Sequence, residues 1–366
     1  MKKLFLITLV VTIVVSCSTD PRYIVEGELE GVENGKVYLQ KRQSGEFIKI
    51  DSTNIENGFF QLSGGSVDYP SVHYLSVEGK RGYLMLFLEN EKISISGHAD
   101  SLYMGEAKGS TTQDKYNEYN KGLEPFYERN STLFQAMREA RQAGDEEKAD
   151  ELDKERNQLF EEITRYNLDF ISSNNASYVV PMVLRSESYG MSGEEIESYV
   201  DKLDGKLLET QIIIDLKNRI EKLRKVAIGK KAPDFTQNDK DGNPVNLYDI
   251  VGPDLLLVDF WAAWCGPCRN ENPNVVAVYN EFHEKGFDVL GVSLDKDKDN
   301  WLKAIDDDKL TWTHVSDLKY WQNEAAQMYA VNAIPANFLL DSEGTIIDTN
   351  VRGPELRKKV AEILGE

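Results

Sequence analysis

The chain has 366 residues, 41% hydrophobic and 28% charged, which is room for two or three folded domains rather than one core. Its formal net charge of -20 argues against a nucleic-acid partner, because a phosphate backbone is bound by clustered Lys and Arg. Three cysteines are too few to staple a scaffold. The histidines His73, His98, His283 and His314 are scattered and no second Cys-x-x-Cys is present, so a zinc site lacks ligands and no metal is expected.

At the N-terminus, Lys2 and Lys3 precede an apolar run from Leu4 to Val15, followed by Ser16, Cys17 and a polar stretch. A basic start, a short apolar run and a small residue before the break describe a secretory signal. The run is short for a bilayer span, which takes about 20 apolar residues. Val14-Val15-Ser16-Cys17 resembles a lipobox, in which Cys17 is the lipidated residue. That resemblance implies residues 1–17 as a lipoprotein signal, with the mature chain on a lipid tether in the cell envelope.

Residues 22–109 read as an all-β domain. Short alternating runs such as Lys36–Leu39, Gly58–Leu62 and Lys92–Ser96 are split by Asn34-Gly35, Asn57-Gly58 and Gly64-Gly65. This spacing suggests a small sandwich or barrel-like fold. No titratable cluster converges there, so a binding or scaffolding role is expected. Residues 110–226 change to helical period, with Leu152, Leu159, Ile163, Tyr166 and Phe170 on one stripe and Ile213, Leu216, Ile220 and Leu223 on another. The charged residues between them mark solvated amphipathic helices.

Residues 227–366 read as α/β. Leu255–Phe260 and Phe287–Val292 are short apolar runs suited to buried strands. A helix is expected after the cysteine pair, through about Lys285. Asn300–Asp307 and Gln322–Tyr329 look helical. Asn337–Leu340 and Thr345–Ile347 form a hairpin, and Pro354–Leu364 is a closing helix. Strands alternating with helices favour a central sheet covered on both faces.

The chemistry lies in Trp264-Cys265-Gly266-Pro267-Cys268. A strand runs directly into this motif, which puts Cys265 at a helix N-terminus. Unpaired N–H groups and the helix dipole stabilise a thiolate there. Cys268, one turn on, is placed to attack a mixed disulfide from inside, so Cys265 is the exposed nucleophile and Cys268 the resolver. Pro267 costs the first turn little.

The stretch Val258–Cys268 strongly resembles the active site of the thioredoxin superfamily. The resemblance covers about Ile228 to Ile363. Gly229–Phe235 upstream and Arg269–Pro273 downstream look like its TlpA/ResA branch. The full layout, a lipoprotein signal with a β domain and helical arm in front, resembles exported proteins of the Bacteroides group. The resemblance implies a thioredoxin-like C-terminal fold and thiol–disulfide exchange, with no cofactor beyond the Cys265–Cys268 disulfide. It gives Asp259 the role of a buried acid that relays the resolving thiol's proton, since burial raises a carboxyl pKa. It links Glu271 to the control of cysteine pKa, and makes Ile334-Pro335 the cis-proline loop that pairs with substrate polypeptide. Trp264 is expected to shield the pair and offer a contact surface. Asn337 is given no role.

The expected partners are proteins that carry disulfides and a membrane thiol that supplies electrons. The Gly-Pro between the cysteines resembles reducing thioredoxins, for which the potential is about -270 mV. Two rival functions are a thiol peroxidase of peroxiredoxin type and a binding or assembly lipoprotein with an accessory redox module. Against the first, no Pro-x-x-x-Thr-x-x-Cys pattern leads into Cys265.

Overall fold

The structure, a computed structural model, describes residues 22–43 and 45–365. The signal region and Cys17 lie outside the described residues. Among the described residues, no helix is long and apolar enough to cross a membrane. The chain divides into two compact units. One runs to Ile163 and takes in Ser177–Val179; the other comprises Thr164–Ala176 and Val180–Glu366.

The first unit is built on eight strands: β1 (Ile24–Glu30), β2 (Asn34–Gln43), β3 (Glu46–Glu56), β4 (Phe59–Ser63), β5 (Ser71–Val77), β6 (Leu84–Leu88), β7 (Lys92–His98) and β8 (Glu106–Lys108). All eight join one sheet in the order β6-β5-β2-β3-β4-β1-β7-β8, so this is not two stacked sheets. The β1–β7 pairing is parallel and the others antiparallel. The two edges approach one another, for a methyl placed on Gly105, beside β8, would stand 3.7 Å from the Leu84 side chain of β6. Alternation along the strands turns Val25, Val37, Leu39, Leu75, Leu86, Ile93 and Ile95 into one core.

Helix α1 (Thr111–Ala143) begins where two carboxylates meet its free N–H groups. Glu91 accepts from the Thr111 N–H at 3.0 Å and Glu89 from the Thr112 N–H at 2.7 Å. Negative charge is favourable at that end of a helix. Helix α2 (Glu146–Ser173) follows and continues into the second unit. There α3 (Val180–Glu187), α4 (Gly193–Val200) and α5 (Gln211–Lys225) come next. A full capping box opens α4, with Ser192 and Glu195 each receiving the other's backbone N–H. On α5 the stripe Ile213, Leu216 and Ile220 is buried, and Leu223 packs against the C-terminal core.

That core surrounds a seven-stranded sheet ordered β10-β9-β13-β12-β11-β14-β15. In chain order its elements are β9 (Thr236–Asp239), β10 (Pro244–Asn246), α6 (Leu247–Ile250), β11 (Leu255–Trp261), α7 (Gly266–Phe282), β12 (Phe287–Ser293), α8 (Lys298–Asp308), β13 (Thr313–Ser316), α9 (Glu324–Met328), β14 (Ala336–Asp341), β15 (Ile346–Thr349) and α10 (Pro354–Leu364). Strands β11, β12 and β13 run parallel, and β14 and β15 close the far edge as an antiparallel hairpin. Every residue of β11 is buried, which is why its sequence is a continuous apolar run broken only by Asp259. The fold is multidomain: an N-terminal β domain, a helical middle and a C-terminal α/β domain of the kind the thioredoxin resemblance implies.

Candidate active site

Strand β11 ends at Trp261, and a tight turn leads into α7. The Cys265 N–H donates to Ala262 O at 3.1 Å, and Cys265 becomes the N-cap of α7. Its sulfur receives the Cys268 N–H at 3.2 Å. A free donor at the start of a helix thus points at the Cys265 sulfur, an arrangement that would stabilise a thiolate there. The two cysteines are joined as a disulfide, with Cα atoms 5.2 Å apart. Among the described residues, no group of three or more His, Cys, Asp or Glu side chains gathers where a metal could bind.

Sequence reasoning makes Cys265 the exposed member of the pair. In the structure Cys265 is only 4% exposed and Cys268 1%. The Ile334–Pro335 loop accounts for this cover, since Cys265 Sγ lies 3.7 Å from Ile334 O. The Ile334–Pro335 peptide bond is cis. Trp264 is 45% exposed and packs against Tyr320 and Trp321, with ring centroids 5.1 and 5.9 Å away.

Asp259 sits on β11 and is 7% exposed. Burial pushes its carboxyl up to about 7; the Arg352 guanidinium opposes that rise and Glu271 adds to it. A carboxyl at this value exchanges protons near neutrality. Its side chain belongs to a row that crosses the sheet. Asn337 on β14 and Gly291 on β12 are its register partners, and His314 on β13 is the partner of Gly291. Register partners present side chains to the same face. Gly291 contributes none, and the His314 ring occupies that space: a methyl on Gly291 would stand 2.2 Å from its Nδ1. Trp261 and Trp312 flank the imidazole, and burial pushes His314 down to about 3.

Glu271, on the second turn of α7, is half-buried. Its Oε1 accepts from the Gly353 N–H and from Asn274 Nδ2, both at 2.8 Å. The sequence-derived residues Cys265, Cys268, Asp259, Glu271, Ile334 and Pro335 therefore lie around one locus, with Trp264 on its rim.

Several supporting residues escaped sequence reasoning. Asp295 Oδ2 accepts the Ala263 N–H and the Ser293 hydroxyl, each at 2.9 Å, and so holds the turn that carries the cysteines. Burial raises the Asp295 carboxyl, while those two bonds work against the rise. Arg269 forks onto Asp308, which also accepts from the buried Asn272 at 2.6 Å. Asn337 binds both backbone groups of Val351, at 2.8 and 2.9 Å. Arg352 reaches Pro335 O. A lone cation between turn residues Asn350 and Gly353, just ahead of a helix-opening Pro354, was the available signal for the last.

With this geometry in place, similarity to known proteins decides the family. Residues 228–349 match the AhpC/TSA family. The thiol–disulfide oxidoreductase ResA of Bacillus thuringiensis subsp. konkukian is 30% identical over 146 residues, covering 39% of this chain and 80% of that protein. The chain belongs to the thioredoxin-like thiol–disulfide oxidoreductases. A second ResA, from Geobacillus thermodenitrificans, is 33% identical over 121 residues, covering 33% of this chain and 67% of that protein. The solved thioredoxin domain of a thiol–disulfide oxidoreductase from Bacteroides vulgatus is 38% identical, covering 38% of this chain and 98% of that one, with a TM-score of 0.36. Residues 23–116 of the oxidoreductase match a domain of unknown function, DUF4369.

Proposed function

We propose that this oxidoreductase reduces disulfides in exported proteins, with Cys265 as nucleophile and Cys268 as resolver. The observation that carries the reading is the Cys268 N–H aimed at Cys265 Sγ at the mouth of α7, with Asp259 in the strand that leads into it. The Cys265 thiolate attacks one sulfur of the substrate disulfide. An S–S bond forms to the enzyme and the other substrate sulfur leaves as a thiolate. Cys268 then gives its proton to Asp259 or Glu271 and attacks Cys265. The Cys265–Cys268 disulfide forms, the second substrate thiolate leaves, and two electrons have passed to the substrate. Reduction by a membrane dithiol completes the cycle.

Ile334, Pro335 and Trp264 receive the substrate polypeptide. The N-terminal signal supports an extracytoplasmic site, with Cys17 as the lipid anchor. No organic or metal cofactor takes part.

The test of direction is the potential of the Cys265–Cys268 couple, measured by equilibration with glutathione. This reading expects a value below about -200 mV, and one near -120 mV, as in a strong oxidant, would refute it. The AhpC/TSA match favours peroxidase as the second reading. Rapid oxidation of the dithiol by hydrogen peroxide, outpacing a protein disulfide, would put that reading first.

A further inference from the structure

Arg352 stands where the two halves of the redox site meet. It lies in the loop between β15 and α10, and that loop is held from both sides. From β14, Asn337 grips the N–H and C=O of Val351. From α7, Glu271 accepts the Gly353 N–H at 2.8 Å and Asn274 donates to Gly353 O at 3.1 Å. Gly353 has a φ of 56°, a backbone that a glycine adopts without strain. The segment on either side of Arg352 is thus pinned to the strand that follows the cis-proline and to the helix that follows the cysteines.

The side chain itself reaches the cis-proline loop. Arg352 Nη2 donates to Pro335 O and, at 3.3 Å, to Asn350 Oδ1. The same guanidinium acts on Asp259 as an opposing charge. We propose that Arg352 is a positioning residue for disulfide exchange, joining the Ile334–Pro335 loop to the segment that Glu271 holds.

The consequence lies in the resolving step. Asp259 must be ionised to take the Cys268 proton, and a cation beside it favours the ionised form. The other titratable groups set toward Asp259 are Glu271 from α7 and, in the same row of the sheet, His314 from β13. His314 is neutral throughout the working range. Arg352 is therefore the cation available to keep Asp259 ready, and its bond to Pro335 O fixes the loop that a substrate strand would meet. This rests on Asp259 as proton acceptor, which the experiment tests separately.

The experiment is single-turnover reduction of a peptide disulfide by the reduced full chain, followed from about pH 5 to about pH 9. The variants are Arg352→Gln, Arg352→Lys and Asp259→Asn. Arg352→Gln is expected to move the acidic limb of the resolving rate up by about one pH unit and to raise the half-saturating peptide concentration. Arg352→Lys keeps the charge but loses the planar fork, so its limb stays near the wild type while half-saturation still rises. Should Arg352→Gln fail to fold, this split in Arg352→Lys decides the matter by itself. The proposal is overturned if Arg352→Gln leaves the limb in place, or if Arg352→Lys matches the wild type in half-saturation. Asp259→Asn should abolish the limb. If the limb persists in Asp259→Asn, the acid reading fails and takes this proposal with it. If the limb vanishes there but ignores Arg352→Gln, this proposal alone fails.

Discussion

Replacing Asp259 with Asn should make the oxidised C-terminal domain more stable at neutral pH and change little at acid pH. Burial lifts the carboxyl from its ordinary 3.8 to about 7. In the unfolded chain it ionises near 4, while in the folded chain it keeps its proton until about 7. Folding therefore binds a proton between those values. Whatever Asp259 contributes is fully present below about pH 4 and is lost as pH rises through about 7. At about 1.4 kcal/mol for each pH unit, the loss amounts to about 4 kcal/mol. Asparagine is nearly isosteric and does not titrate. The stability of wild type minus that of Asp259→Asn should fall by about 4 kcal/mol between about pH 4 and about pH 8. All five tryptophans lie between Trp261 and Trp321, so urea unfolding followed by intrinsic fluorescence reports on this domain. A difference that stays constant within about 0.5 kcal/mol across that range would refute the burial argument.

Three further outcomes follow from contacts at the site. Gly291→Ala should destabilise the domain by about 1–3 kcal/mol in the same unfolding assay, because its methyl meets the His314 ring; a change below about 0.5 kcal/mol would mean that the imidazole moves aside freely. Asn337→Ala leaves the Val351 N–H and C=O without their partners. It should cost about 1–3 kcal/mol and slow peptide-disulfide reduction, since the Arg352 loop loses one of its two grips. Asp295→Ala removes the acceptor of the Ala263 N–H. It should lower the rate of alkylation of reduced Cys265 while far-UV circular dichroism stays native; an unchanged rate would show that the turn keeps its shape unaided.

The sequence discloses what is local and periodic. Strand β11 is legible because both of its faces are buried, so it must be apolar throughout, and Asp259 is conspicuous only as the exception. Pro354 at the first turn marks the start of α10 correctly. Cys265 at a helix start follows from a strand running straight into Cys-x-x-Cys. What stays hidden depends on register and on loops. Asp259, Gly291 and His314 become neighbours only when β11, β12 and β13 pair in one particular register. The cover over Cys265 comes from the Ile334–Pro335 loop, far along the chain. Arg352 has no periodic context, and its position is set by Asn337, Glu271 and Asn274 on other elements. The β domain illustrates a third limit. Turn spacing announces short strands but does not say whether they make two sheets or one, and here all eight join a single sheet.

The most direct test of the redox account is to trap the exchange intermediate. The Cys268→Ala variant, reduced and mixed with a peptide disulfide, keeps the attacking thiol but lacks the resolver. Intact-mass analysis should find one stable peptide adduct, mapped by proteolysis to Cys265. The Cys265→Ala variant should yield little or none, because Cys268 lacks the N-cap position at which a helix donor meets the sulfur. An adduct that forms faster on Cys268 than on Cys265 would contradict the account.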